Sequence, residues 1–233
     1  RQMCIRDRTD GGHDLRSSGH GCLVSFVVEL LLIRHGLPER RENTDGPADP
    51  ELAPEGHAQA DHMANYLATE VVDAVYTSPL RRAHQTAAPL GRLFGLEPTV
   101  VDDIAEYDRH ANEYVPIEQL KAANDPRFHD LLTTAADLDD PEAFVARVIT
   151  AIEHIIDAHA GHRVAVVCHG GVINAYIAHV IGLEPKPPGF FYPNYTSISR
   201  VAASRAGHRS LVTLNETSFL RGTGLPMGLV QKG

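Results

Sequence analysis

Apolar residues recur along this chain in two alternating rhythms, one suited to buried strands and one to amphipathic helices. "VVELLLIRH" (27–35) is a continuous apolar run, as expected of a strand covered on both faces. "PEGHAQADHMANYLATE" (54–70) sets Ala60, Met63, Ala64 and Leu67 on one helical face. "DAVYTS" (73–78) predicts a second strand. "PLRRAHQTAAPLGRLFG" (79–95) predicts a helix with Pro79 in its first turn, where proline is tolerated, and with Pro89 kinking or interrupting it. "LEPTVVDDI" (96–104) predicts a short third strand.

Regularity then falls. Residues 105–141 carry Pro116, Pro126 and Pro141 and read as short helices and loops, an insertion rather than sheet. "EAFVARVITAIEHIIDAHAG" (142–161) is an amphipathic helix on Phe144, Val148, Ala151, Ile152, Ile155 and Ile156, with Gly161 as its expected C-cap. "HRVAVVCHGG" (162–171) predicts another buried strand and "VINAYIAHVIGL" (172–183) a helix. "SISRVAAS" (197–204) and "RSLVTLNE" (209–216) predict a closing pair of strands. Strands separated by helices imply an α/β fold, a three-layer α/β/α sandwich around a mostly parallel central sheet.

Residues 1–27 break both rhythms. They are rich in Gly, Ser, Arg and Asp, read as a disordered leader, and include "QMCIRDR", which resembles a translated adapter sequence, so the leader is expected to be non-native. The expected domain runs over 28–220, with a cap insertion at about 105–141 and a tail at 221–233.

Composition narrows the chemistry. The 233 residues are 43% hydrophobic and carry a net charge of −9, which disfavours nucleic acid or an anionic membrane as partner. Cys4, Cys22 and Cys168 have no pair spacing, so neither a disulfide framework nor a zinc site is expected, and a reducing cytoplasmic setting fits. His57 with His62, and His154 with His159, are spaced five apart, which does not place them on one helical face as metal ligands. The longest apolar run, "CLVSFVVELLLI" (22–33), falls short of a bilayer span and lacks the small-residue cleavage site of a signal peptide.

Against that acidic background, three predicted strands lead into basic or glycine-rich ends. The first ends in Arg34-His35-Gly36. The second leads to Ser78-Pro79-Leu80-Arg81-Arg82. The strand at 163–168 leads to His169-Gly170-Gly171. In open α/β sheets, ligands bind beyond the carboxyl ends of strands. Each of these alone reads as an ordinary loop. Two histidines and up to three arginines on one rim predict an anion, and phosphate matches the arginine fork and a helix N-terminus.

"LLLIRHG", "LAPEGHAQA" (52–60), "YTSPLRRAHQTA" (76–87) and "VVCHGGVI" (166–173), in that order and spacing, resemble the histidine phosphatase superfamily with its phosphoglycerate mutase-like fold. The resemblance implies a metal-independent phosphatase that needs no cofactor and passes a phosphoryl group through phosphohistidine. On it, His35 corresponds to the nucleophile, Arg34 and Arg82 to the phosphate-clamping arginines, and His169 to a second histidine on the phosphate. Arg81 corresponds to a position that faces outward or touches substrate, and Gly56, Gln59 and Ala60 to packing positions. The proton donor corresponds to an acid after the third strand. Glu106 fits the family spacing, with Asp103 and Asp108 as alternatives. The family's usual asparagine position is Arg41 here, so Asn43 is the expected phosphate contact after a longer loop. Asn194 and Ser197 are expected on the site rim.

The substrate expected on this resemblance is a small phosphorylated metabolite, with oligomeric state open and a homodimer among the options. The mutase-type stretch Glu-Arg-His-Tyr-Gly is absent, "AEYDRHANEY" (105–114) standing instead, which favours hydrolysis over phosphoglycerate-mutase transfer. The remaining alternative is a catalytically weak phospho-ligand-binding module.

Overall fold

The computed structural model describes residues 27–129, 140–184 and 189–229. The leader at 1–26, part of the insertion and the last residues of the tail lie outside the described residues.

Six strands form one sheet in the order β4-β3-β6-β1-β7-β8. They are β1 (Val28–Arg34), β3 (Ala74–Thr77), β4 (Thr99–Val100), β6 (Arg163–Cys168), β7 (Ile198–Ala203) and β8 (Arg209–Glu216). β1 pairs parallel with β6, β6 with β3, and β3 with β4, while β7 pairs antiparallel with both β1 and β8. The fold is thus the expected mostly parallel α/β arrangement. Register sets the ends level: Arg34 is opposite Cys168, and Thr77 is opposite Val167. The residues that follow, His35, Ser78 and His169, therefore leave the sheet at one edge.

Helices cover both faces because β1 alternates buried apolar residues to each side. Leu30 and Leu32 pack with Val148 and Ile152 of α4 (Pro141–Ala158) and with Ile173 and Ile177 of α5 (Gly170–Ile181). Leu31 and Ile33 pack on the other face with Met63 and Leu67 of α1 (Pro54–Leu67) and with Ala83, Ala87 and Leu90 of α2 (Arg81–Phe94). Each such fully buried leucine or isoleucine contributes roughly 1.5–3 kcal/mol.

Several local expectations change. Pro89 does not interrupt α2, which runs through it, and Pro79 precedes the helix, which starts at Arg81 with Leu80 at its N-cap. The third strand shrinks to Thr99–Val100, because 102–104 turns into a 3₁₀ helix. α4 ends at Ala158, and Gly161 takes a φ of +82° in the turn beyond it rather than capping it. The stretch after 105 is not free of sheet. β5 (Glu113–Tyr114) pairs antiparallel with β2 (Arg41–Glu42), tying it to the loop that follows β1, and the short α3 (Ile117–Ala122) comes next.

Candidate active site

A cavity of about 1470 Å³ opens beyond the carboxyl edge of the sheet. Arg34, His35, Arg82, Glu106 and Asp108 line it. Arg34 and His35 come from the end of β1, Arg82 from the first turn of α2, and Glu106 and Asp108 from the segment after β4.

His35 is nearly fully buried, at 3% exposure. Its Nδ1 lies 2.7 Å from the carbonyl oxygen of Gly36. A carbonyl only accepts, so Nδ1 carries the proton and Nε2 keeps its lone pair. Burial first, then Arg82 and Arg34, hold its pKa well below the usual 6.5, so the ring is neutral around pH 7.

The turn after His35 is held by side chains distant in sequence. The Gly36 amide donates to Thr86 Oγ1 at 3.0 Å, and the Leu37 amide donates to Gln59 Oε1 at 2.8 Å. Gly36 has no positive φ; glycine is needed there because a Cβ would sit 2.6 Å from the Gly56 carbonyl oxygen. Thr196, whose amide donates to the His35 carbonyl at 3.4 Å, has a φ of +53°, a strained conformation for a β-branched residue.

Around His35 stand three buried N–H donors that lack a protein partner: Arg34 Nε, Arg82 Nε and His169 Nδ1. Other atoms of the same residues are anchored. Arg34 Nη1 donates to the Pro193 carbonyl at 2.6 Å, and its guanidinium lies over the rings of Tyr192 and Tyr195. Arg82 is paired with Asp108 at 2.7 Å. Burial is the largest influence and works against the Arg82 charge, but Asp108, Tyr114 and Glu106 together outweigh it and raise its pKa. The other buried arginine among the described residues is fully paired: Arg200, at the opposite end of the sheet, binds Glu29, Glu70 and Glu216. A buried unsatisfied donor costs roughly 1–3 kcal/mol, so three together mark a site completed by an acceptor.

His169 is fully buried behind the cavity wall, its ring centre 5.1 Å from that of His35. Burial, then Arg82, His35 and Arg34, keep it neutral, with its pKa well below 6.5. Its Nε2 lies 2.7 Å from Ser78 Oγ, which already accepts the Leu80 amide at 3.3 Å. When the Ser78 hydroxyl donates to Nε2, the ring proton sits on the unpartnered Nδ1. The sequence had Ser78 in its motif but offered no sign of this role.

Glu106 is buried, and its carboxylate accepts the amides of Gly171 at 2.7 Å and Tyr107 at 3.2 Å. Burial, and secondly the Asp108 carboxylate, push its pKa up from 4.5 to about 7, against the opposing amides and Arg82. A side chain at 171 would displace the Glu106 carboxylate, since a Cβ there would lie 2.4 Å from Glu106 Oε1.

Other expected positions fall outside the cavity lining. Asn43 does not join it: its amide donates to the Pro47 carbonyl and its Oδ1 accepts from Arg41, because the β2–β5 pairing draws its backbone towards Asn112. Arg81 points outward to Glu51. Asp103 is exposed, its carbonyl accepting from Arg147. Asn194 and Ser197 are buried beneath the rim, which Tyr192 and Pro193 form instead. Cys168 is fully buried and its thiol is pushed far above the usual range, as for a packed strand residue. Among the described residues, no group of three His, Cys, Asp or Glu could hold a metal ion, and no helix is long and apolar enough to cross a membrane.

The sequence profile of the histidine phosphatase superfamily (branch 1) matches residues 30–217. The chain belongs to that superfamily. A metal-independent phosphoserine phosphatase of Arabidopsis thaliana is 33% identical over 165 residues, covering 65% of this chain and 68% of the relative. A bifunctional protein of Mycobacterium tuberculosis is 34% identical over 201 residues, and the match covers 83% of this chain but 55% of that longer relative. Among solved structures, a phosphoserine phosphatase of Entamoeba histolytica crystallised with phosphoserine superposes with a TM-score of 0.65 at 24% identity, covering 83% of this chain and 99% of that one. That likeness establishes the phosphoglycerate mutase-like fold. Family membership, with its phosphatase relatives, supports a phosphoric monoester hydrolase.

Proposed function

We propose that this histidine phosphatase hydrolyses a phosphomonoester without a metal ion, in two steps through a phosphohistidine on His35. The observation that carries the reading is the set of unpartnered buried donors around a neutral imidazole whose Nε2 lone pair is free.

In the first step Nε2 attacks phosphorus, the N–P bond forms and the P–O ester bond breaks. Glu106, protonated below about pH 7, gives its proton to the departing alcohol oxygen. The positive charge on phosphohistidine rests against the Gly36 carbonyl through Nδ1–H. Arg34, Arg82 and His169 donate to the phosphoryl oxygens, where charge accumulates. In the second step Glu106, now a carboxylate, takes a proton from water. The water oxygen bonds to phosphorus, and the N–P bond breaks to release inorganic phosphate and neutral His35.

Phosphate release from a panel of phosphorylated metabolites tests this reading. Release is expected to be unchanged by an excess of chelator, and loss of activity on chelation would contradict it.

Ser78 supplies a second expectation. Ser78→Ala is expected to lower kcat by about 2-fold, because about half of the His169 rings would then hold the wrong tautomer or orientation. The ¹⁵N shifts of His169 should show protonated Nδ1 in the wild type and a mixture in the variant, with Ser78→Thr restoring both rate and spectrum. Unaltered tautomer populations in Ser78→Ala would remove Ser78 from the mechanism.

A further inference from the structure

Beyond the phosphate pocket, the cavity is much larger than a small phospho-acid needs. It holds about 1470 Å³, where ligand pockets commonly span roughly 300–1,000 Å³. Its wall also gathers aromatic rings. Of the chain's seven Phe and seven Tyr, six line it. Tyr114 and Tyr192 lie against the clamping arginines, which leaves Tyr107, Phe144, Phe190 and Phe191 on the outer wall.

These four rings form two pairs that converge on the first turn of α5. Tyr107 meets Phe144 edge-on at 6.1 Å, and a Cβ on Gly171 would approach the Tyr107 ring to 3.1 Å. Phe190 and Phe191 lie 5.0 Å apart. Asn174 holds them: its Oδ1 accepts the amides of both, and its Nδ2 donates to the Phe191 carbonyl. Gly171 and Asn174 are three residues apart, on one face of the helix. The Gly171 amide is also the one that binds Glu106. The alcohol that receives the Glu106 proton must therefore leave through the space these rings border. Phe190 is 45% exposed among the described residues, an apolar ring face at the mouth of the cavity.

We infer that the substrate is a phosphomonoester whose alcohol carries a planar aromatic group close to the ester oxygen, seated between Tyr107–Phe144 and Phe190–Phe191. The inference rests on the hydrolase reading above. Phe144, Tyr107 and Phe191 back onto the core, so a short acidic alcohol such as that of phosphoserine would leave the Phe190 face in water. A substrate ring would cover Phe190 and gain offset or edge contacts with the rings that line the cavity.

The test compares 2-phenylethyl phosphate with propyl phosphate, whose leaving alcohols have similar acidity, and with phosphoserine. In the wild type, kcat/KM for the phenylethyl ester is expected to exceed that for the propyl ester by about 30-fold, the rate equivalent of burying one phenyl ring. It should also exceed that for phosphoserine. In Phe190→Ala, an exposed position, and in Phe191→Leu, the phenylethyl-to-propyl ratio should fall to about 5 or below. Equal values for the two esters, a preference for phosphoserine, or a ratio untouched by both substitutions would overturn the inference and leave the hydrolase reading standing. If none of the three esters releases phosphate, the hydrolase reading itself fails, and this inference with it.

Discussion

His35→Ala is expected to abolish turnover, lowering kcat by at least about 10⁴-fold, because it removes the atom that carries the phosphoryl group between the two half-reactions. The loss should be the same for good and poor leaving groups, since neither can react without the nucleophile. Binding should survive. Arg34, Arg82 and His169 retain their unpartnered donors, so inorganic phosphate or vanadate should still bind His35→Ala and raise its Tm. The fold should hold as well, since the ring makes one side-chain hydrogen bond, to the neighbouring Gly36 carbonyl. A variant that keeps its structure and releases phosphate at the wild-type rate would exclude His35 as nucleophile.

Glu106→Gln is expected to separate chemistry from stability. With an alkyl ester, kcat should fall about 10²–10⁴-fold, because the alkoxide leaves without a proton. With p-nitrophenyl phosphate, whose leaving group needs no proton, the first step should fall far less. The pH profile follows from the same group. His35 and His169 stay neutral to well below pH 6.5, so they leave the rate steady around neutrality. Activity on alkyl esters should decline as pH rises through about 7, where Glu106 loses its proton. That alkaline limb should vanish in Glu106→Gln.

Stability should move the other way. Glu106 binds its proton more tightly when folded, with a pKa of about 7 against 4.5. The folded state is therefore favoured at low pH, and this advantage is lost as pH rises from about 4.5 to 7. Above pH 7 the buried charge costs up to about 3 kcal/mol. Gln places a donor against one of the two amides that Glu106 accepts, so the variant carries a constant cost, but its stability relative to wild type should improve by about 3 kcal/mol between pH 4.5 and pH 8.5, as read by thermal unfolding. A difference between variant and wild type that stays the same at both pH values would show that Glu106 is not buried against its charge.

The parts of this account that were legible in the sequence are those written in short local patterns. The apolar run of β1 followed by Arg34-His35-Gly36, and that of β6 followed by His169-Gly170-Gly171, identify buried strands and the chemistry at their ends. Glu106 was one of three acids the resemblance offered, with Asp103 and Asp108, and it lines the cavity. What the sequence left dark depends on contacts between distant segments. Thr86 and Gln59 hold the backbone after His35 across gaps of 50 and 22 residues, and Ser78 meets His169 across 91. None of these partners shares a local pattern. Asp108 was an alternative proton donor, and the structure gives it to Arg82 instead. The small β2–β5 sheet misled the expectation for Asn43: two-residue strands carry no periodicity, and their pairing fixes the loop in which Asn43 sits. Pro89 misled for another reason. Buried alanines and Leu90 pin α2 to the sheet on both sides of the proline, and that packing outweighs the one lost backbone hydrogen bond.

The most direct measurement is rapid acid-free quenching of the enzyme during turnover of a ³²P-labelled phosphomonoester, followed by peptide mapping. The account predicts label on His35, attached at Nε2, stable in alkali and lost in acid, and absent from His35→Ala. Label on any other residue, or a stoichiometric burst of phosphate with no labelled protein under conditions where hydrolysis of the intermediate is slow, would contradict it.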